Sequence, residues 1–218
     1  MNYFDPATEA GGAALKQLRG FYGSPKHLEG YDVRIACDVD NPLTGPRGAS
    51  AVFGPQKGAT PEDVALLDAA LVNYAKVLGL PEQPGDGAAG GAAYGLRWLF
   101  PKAKLVPGID LVLDAIGFDK HLEGADLVLT GEGRLDTQTL GGKVVAGVAK
   151  RARAKNVPVV ALVGGIGGDV SGAALAEAGV AAALPLAPGP CTLSESMENT
   201  ASWLADAAER SARLAYLR

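Results

Sequence analysis

The sequence predicts an α/β protein built on a parallel sheet with crossover helices, and three observations carry that expectation. From Asp126 onward, short apolar runs alternate with longer segments of helical period. Residues 126–130, 158–163 and 180–186 read as strands, and about 142–155, 171–178 and 193–217 read as helices. The runs Leu127-Val-Leu129 and Val159-Val-Ala-Leu-Val163 are continuously apolar, as strands covered on both faces must be. Over 218 residues the chain is 48% hydrophobic and 20% charged, a globular composition with enough length for a sizeable core.

Charge and cysteine content exclude several partners. Net charge is −4 and there is no basic run, which argues against nucleic acid and against anionic membrane surfaces. Cys37 and Cys191 have neither metal-ligand spacing nor a disulfide framework, as expected of a cytoplasmic protein. The opening Met-Asn-Tyr-Phe-Asp-Pro has no basic region followed by an apolar core, so it does not read as a signal peptide. No apolar run approaches the ~20 residues a membrane span needs.

The elements follow in order. A short helix is expected at about Ala13–Leu18. Tyr31–Cys37 alternates as a strand, with Val33, Ile35 and Cys37 on one face. Pro42, Gly45, Pro46 and Gly48 then forbid regular structure, leaving Asp38, Asp40, Asn41, Thr44 and Arg47 on a stiffened loop. An Asx-turn and surface loop would explain that loop equally well. Thr60 with Pro61 and Asp63 is an N-cap, first-turn proline and capping-box acid. Leu67, Leu71, Tyr74 and Leu78 keep helical spacing up to Gly79. Pro84–Ala93 is either a linker or a glycine loop opening a helix at Tyr94–Phe100. Such a loop can cradle an anion, although its spacing matches neither a Walker A nor a dinucleotide fingerprint. Ile109–Lys120 reads as a short helix or strand. His27 and His121 lack partner spacing, and Trp98 and Trp203 read as core anchors.

The densest candidate for chemistry is Asp126-Leu-Val-Leu-Thr-Gly-Glu-Gly-Arg-Leu-Asp136. Thr130 and Gly131 are expected to end the strand, and Glu132, Arg134 and Asp136 then follow on a loop. In open α/β sheets ligands bind at strand C-terminal ends, so this loop is expected to be catalytic or ligand-binding. Gly164-Gly-Ile-Gly-Gly-Asp169 ends the next strand and is placed to share its rim. The plainer alternative is a local ion pair of Arg134 with Glu132 or Asp136. Three strands are few for a doubly wound sheet. Further strands come either from residues 1–115 or from a polypeptide not present here, and the first half lacks the βαβ rhythm.

These stretches resemble the bacterial type I glycerate kinases over nearly the whole chain and in one order. The matching segments are Asp126–Lys143, Ala36–Ala59, Gly85–Gly91, Val157–Gly165 and Leu186–Pro190. The resemblance implies a two-domain α/β fold. Residues 1–115 would be the later part of an inserted middle domain, and 116–218 the C-terminal half of a Rossmann-like domain whose parallel sheet is here incomplete. The active site would lie between the domains. The family's Lys-Gly-Ser and Ser-Ala-Thr-Asn-Asp-type loops do not occur in this sequence, which points to the C-terminal part of such an enzyme.

The implied activity is ATP- and Mg²⁺-dependent phosphorylation of D-glycerate. In those terms Asp136 or Asp40 accepts the hydroxyl proton, and Arg134 and Arg47 grip the carboxylate or the transferring phosphoryl group. Asp38 and Glu132 meet Mg²⁺, largely through water. Asn41, Gly131, Gly133, Gly85, Asp86, Gly87, Gly90 and Lys143 bind substrate or phosphate. Partners would be D-glycerate and ATP, with self-association or a complementing N-terminal half. The competing expectation is a non-catalytic glycerate- or nucleotide-binding module. A dehydrogenase is disfavoured, since no strand runs into G-x-G-x-x-G.

Overall fold

The computed structural model describes residues 11–20, 28, 30–140 and 142–216. They form two compact units, 1–108 and 109–218. His27 lies outside the described residues.

In the first unit, the expected helix near Ala13 is a 3-10 turn, Gly12–Gln17. Asn73 holds it, donating its side-chain amide to the Leu15 and Leu18 carbonyls at 2.8 and 2.9 Å. Strand β1 is only Arg34–Ala36, shorter than the alternation suggested, and pairs in parallel with β2 (Lys104–Val106), which the sequence pattern did not reveal. Three residues between Ala103 and Pro107 are too few for a period-2 signal. Helix α1 (Ala49–Phe53) and a 3-10 turn at Pro55–Lys57 follow the Asp38–Arg47 loop.

Helix α2 (Pro61–Leu78) begins and ends where its sequence signals place it. The Thr60 hydroxyl accepts from the Asp63 amide at 3.1 Å, and the Asp63 carboxylate accepts from the Thr60 amide at 3.0 Å. Gly79 closes the helix at φ 68°, a left-handed conformation cheap only for glycine. A further 3-10 turn, Ala88–Gly91, opens α3 (Ala92–Leu99). Leu43, Leu71, Leu78 and Tyr94 form the core, with Trp98 packed against it. The Tyr94 hydroxyl donates to the Leu80 carbonyl at 2.5 Å, so the buried phenol is satisfied.

In the second unit, α4 (Gly108–Ala115, which starts on the last residue of the first unit) and α5 (Phe118–His121) resolve the helix-or-strand ambiguity in favour of helix. Strands β3 (Val128–Leu135), β4 (Val159–Ile166) and β5 (Ala182–Pro185) make a parallel sheet in that order. Between β3 and β4 lie α6 (Thr137–Leu140) and α7 (Val144–Ala154), and between β4 and β5 lies α8 (Gly172–Ala178). Val145, Val148, Ala149 and Ala152 of α7 bury one face of the sheet against Val159, Ala161 and Val163. The other face packs Leu162 and Leu184 against Trp203 and Ala207 of α10 (Thr200–Ala215). The single helix expected over 193–217 is two, α9 (Leu193–Glu198) and α10. Asn199 separates them, its side chain donating to the Glu195 carbonyl at 2.8 Å in the local competition that makes asparagine a helix breaker.

Candidate functional site at the end of strand β3

The main departure from the sequence reading concerns the charged stretch itself. Thr130 and Gly131 do not end β3. The ladder continues with Glu132 opposite Val163, Arg134 opposite Gly165 and Leu135 opposite Ile166. Gly131, Glu132, Gly133 and Arg134 are therefore strand residues. Glycine weakens a strand in isolation, but here it permits close approach: a Cβ on Gly164 would come within 2.5 Å of the Gly133 carbonyl oxygen. Pairing with an apolar neighbour strand overrides local propensity.

The turn that matters comes after Leu135, which is fully buried and anchors it. The Leu135 carbonyl accepts from the Gly167 amide at 2.7 Å. Thr137 donates its hydroxyl to Asp169 at 2.5 Å and its amide to the same carboxylate oxygen at 3.1 Å. Asp136, half-buried, lies between these two anchors. The Thr137 hydroxyl bond, then its amide bond, hold the Asp169 carboxyl below its ordinary value, and the nearby Arg134 charge adds to the effect. Arg134 is exposed and forms no ion pair within 4 Å among the described residues, so the plainer alternative of a local ion pair with Glu132 or Asp136 is not what the structure has. Lys143 is exposed at the N-cap of α7.

A groove of about 1130 Å³ runs along the second half of β3 and β4 beneath α9 and α10. Glu132 and Arg134 line it, with Leu129, Ile166, Met197 and Leu204 as apolar wall.

The candidates of the first unit are mostly engaged with one another. Asp38 accepts from the Gly108 amide at 2.8 Å. Asp40 and Arg47 form an ion pair at 3.2 Å, with side chains 78% and 71% exposed. The Asn41 side chain donates to the Arg47 carbonyl at 2.8 Å. The Asn41 carbonyl accepts from the Gly85 and Gly87 amides at 3.2 and 3.0 Å, and the Gly90 amide bonds to Gly87 at 3.2 Å. These three glycine amides, expected to face phosphate, instead hold the turn. Asp86 differs most from expectation. Its carboxylate is fully buried, bonded to Arg97 at 2.6 Å and to the Gln83 amide at 2.7 Å.

The comparisons with known proteins bear on both units. The model of the glycerate kinase family matches residues 4–216. This chain belongs to the glycerate kinase family. It is 43% identical over 212 residues to a glycerate kinase of Bacillus subtilis (strain 168), covering 93% of this chain and 53% of that protein. A glycerate 2-kinase of Escherichia coli (strain K12) is 40% identical over 168 residues, 73% of this chain and 44% of that protein. A crystal structure from Salmonella typhimurium LT2, described as a glycerate kinase 2, superposes with a TM-score of 0.69 at 40% identity, covering 94% of this chain and 55% of that one. The chain thus spans about half the length of the curated relatives it matches.

In the geometry of the turn, two residues stand out that sequence reasoning did not single out. Thr137 and Asp169 tie the turn after β3 to the turn after β4. The only signal for Asp169 was its position at the end of a glycine-rich strand terminus. No group of three His, Cys, Asp or Glu side chains among the described residues is placed to hold a metal ion. Mg²⁺ is ordinarily held by one or two carboxylates, waters and substrate phosphates, so single carboxylates such as Asp38 or Glu132 suit it in kind. Among the described residues, no helix is long and apolar enough to cross a membrane.

Proposed function

We propose that this chain carries the catalytic turn of an ATP-dependent D-glycerate kinase, alone or joined to a complementing polypeptide. The observation that supports this reading most is the Arg134–Asp136 stretch. An exposed arginine with no ion pair among the described residues, and a half-buried carboxylate two residues on, stand at the C-terminal end of β3 in a chain whose residues 4–216 match the glycerate kinase family.

Phosphoryl transfer asks the protein to position reactants and to neutralise charge. Arg134 is the cation for an anionic group, either the glycerate carboxylate or the transferring phosphoryl, and its planar fork suits both. Asp136 is the acceptor for the glycerate hydroxyl proton. Lys143 offers a further point charge. Asp38 and Glu132 are the carboxylates offered to Mg²⁺, which when bound with ATP supplies neutralisation of phosphate charge. Asp40 and Arg47, already paired, serve less directly, since a ligand carboxylate must displace Asp40 to reach Arg47. Asp86 and the Gly85–Gly90 amides are assigned to shaping their loop. The free cysteines Cys37 and Cys191 suit a cytoplasmic protein.

The second reading is a binding module without turnover. Within it, β3 has one ladder neighbour among the described residues, an edge open to a second copy or a complementing polypeptide. Calorimetric titration with D-glycerate and Mg-ATP, followed by detection of phosphoglycerate, separates the readings. Product supports the kinase, and heat without product supports the module.

A further inference from the structure

We propose that Asp169 is a positioning residue for the phosphoryl-transfer turn, holding Asp136 in place through Thr137. This rests on the kinase reading of Asp136. The geometry is a two-point suspension. Before Asp136, the Leu135 carbonyl is bonded to the Gly167 amide at 2.7 Å, and the Leu135 side chain is fully buried. After it, both donors of Thr137 converge on one oxygen of Asp169, at 2.5 and 3.1 Å. The residue between two fixed neighbours has little backbone freedom, and both anchors come from the same turn, Gly167–Asp169.

Gly167 keeps that turn close. A Cβ there would lie 3.5 Å from the Asp136 Cβ and 3.3 Å from the Leu135 carbonyl oxygen, and would strike the Asp169 carboxylate. Charge makes the clasp stronger than a neutral one, because a carboxylate accepting from N–H and O–H is bonded roughly twice as strongly as an uncharged acceptor. Arg134 lies near enough to favour the ionised carboxylate. The turn after β4 thus sets the position of the group acting from the turn after β3, while touching no substrate itself.

The test compares Asp169→Ala, Asp169→Asn and Thr137→Val with the wild-type chain in D-glycerate-dependent ATP turnover and in amide hydrogen exchange. In Asp169→Ala, kcat is expected to fall about tenfold to a hundredfold with KM for D-glycerate within about twofold, the signature of a misplaced reacting group. Asp169→Asn keeps an acceptor and should recover part of the loss. The Thr137 amide should exchange about tenfold faster in Asp169→Ala while α7 is unchanged. A folded Asp169→Ala with wild-type kcat overturns the proposal, and so does a loss carried wholly by KM. If the wild-type chain gives no turnover, the kinase reading of the isolated chain falls. The exchange arm then decides, and unchanged exchange at Thr137 overturns the clasp.

Discussion

Two loop systems of this chain are rich in glycine and charge, and they use that chemistry differently. In Asp38–Arg47 with Gly85–Gly91, charges and amides satisfy one another: Asp86 with Arg97, Asp40 with Arg47, Asp38 with Gly108, and the Asn41 carbonyl with two glycine amides. In Arg134–Thr137 with Gly167–Asp169, one carboxylate clamps the turn, and an exposed arginine is left without an ion pair among the described residues. The difference teaches that charge density marks a polar loop, whereas function depends on whether the charges already face each other. A buried, doubly bonded pair is architecture. An exposed cation held on a rigid strand end is available to a ligand.

The comparison breaks most readily at Asp86. Replacing it with alanine leaves the Arg97 guanidinium mostly buried and uncompensated, and is expected to cost about 3–5 kcal/mol. Urea unfolding followed by exchange at α2 and α3 amides measures it. A cost below about 1 kcal/mol, the value of an exposed pair, would put Asp86 back among the ligand candidates. Arg134→Ala should do the reverse, leaving stability within about 0.5 kcal/mol as exposed substitutions do. Its turnover should nevertheless drop by about two orders of magnitude, as when a charge-stabilising donor is removed. Paired unfolding and kinetic measurements on one preparation show whether the two effects separate.

Smaller effects sharpen the contrast. Thr60→Ala removes the α2 cap and should cost about 1 kcal/mol, with no change in ligand heat. The exposed Asp40–Arg47 pair should contribute under about 1 kcal/mol by double-mutant cycle, and less in high salt. Acid probes the clasp. The Asp169 carboxyl is held below its ordinary value in the folded chain, chiefly by the Thr137 hydroxyl and then its amide. Its contribution is therefore fully present above the unfolded aspartate value, roughly pH 4, and is lost as pH falls through the lower folded value. Thr137 exchange, corrected for its intrinsic pH dependence, should accelerate in that acidic window and stay flat from pH 5 to 8.

Much of the fold was legible because its signals are local. Thr60, Pro61, Asp63 and Gly79 bracket α2 by cap chemistry alone, and the apolar runs at 127–129 and 159–163 place β3 and β4. What escaped depended on partners distant in sequence. β3 runs on to Leu135 because β4 pairs with it, although Gly131 and Gly133 argue locally for a loop. β2 is three residues whose identity as strand comes only from β1. Asp86 looked like a loop acid until Arg97, eleven residues on, was brought to it by α3. Asp169 lies 32 residues beyond Thr137, and nothing in their spacing links them.

The most direct test of the central claim is D-glycerate-dependent ATP turnover by Asp136→Ala beside the wild-type chain, each assayed alone and with a complementing N-terminal polypeptide. Phosphoglycerate is detected as product, and unfolding is measured on the same samples. The account predicts product from the wild type and a rate lower by about 10²–10⁴ in the folded variant, the cost of removing a positioned base. Equal rates from a folded Asp136→Ala would contradict it.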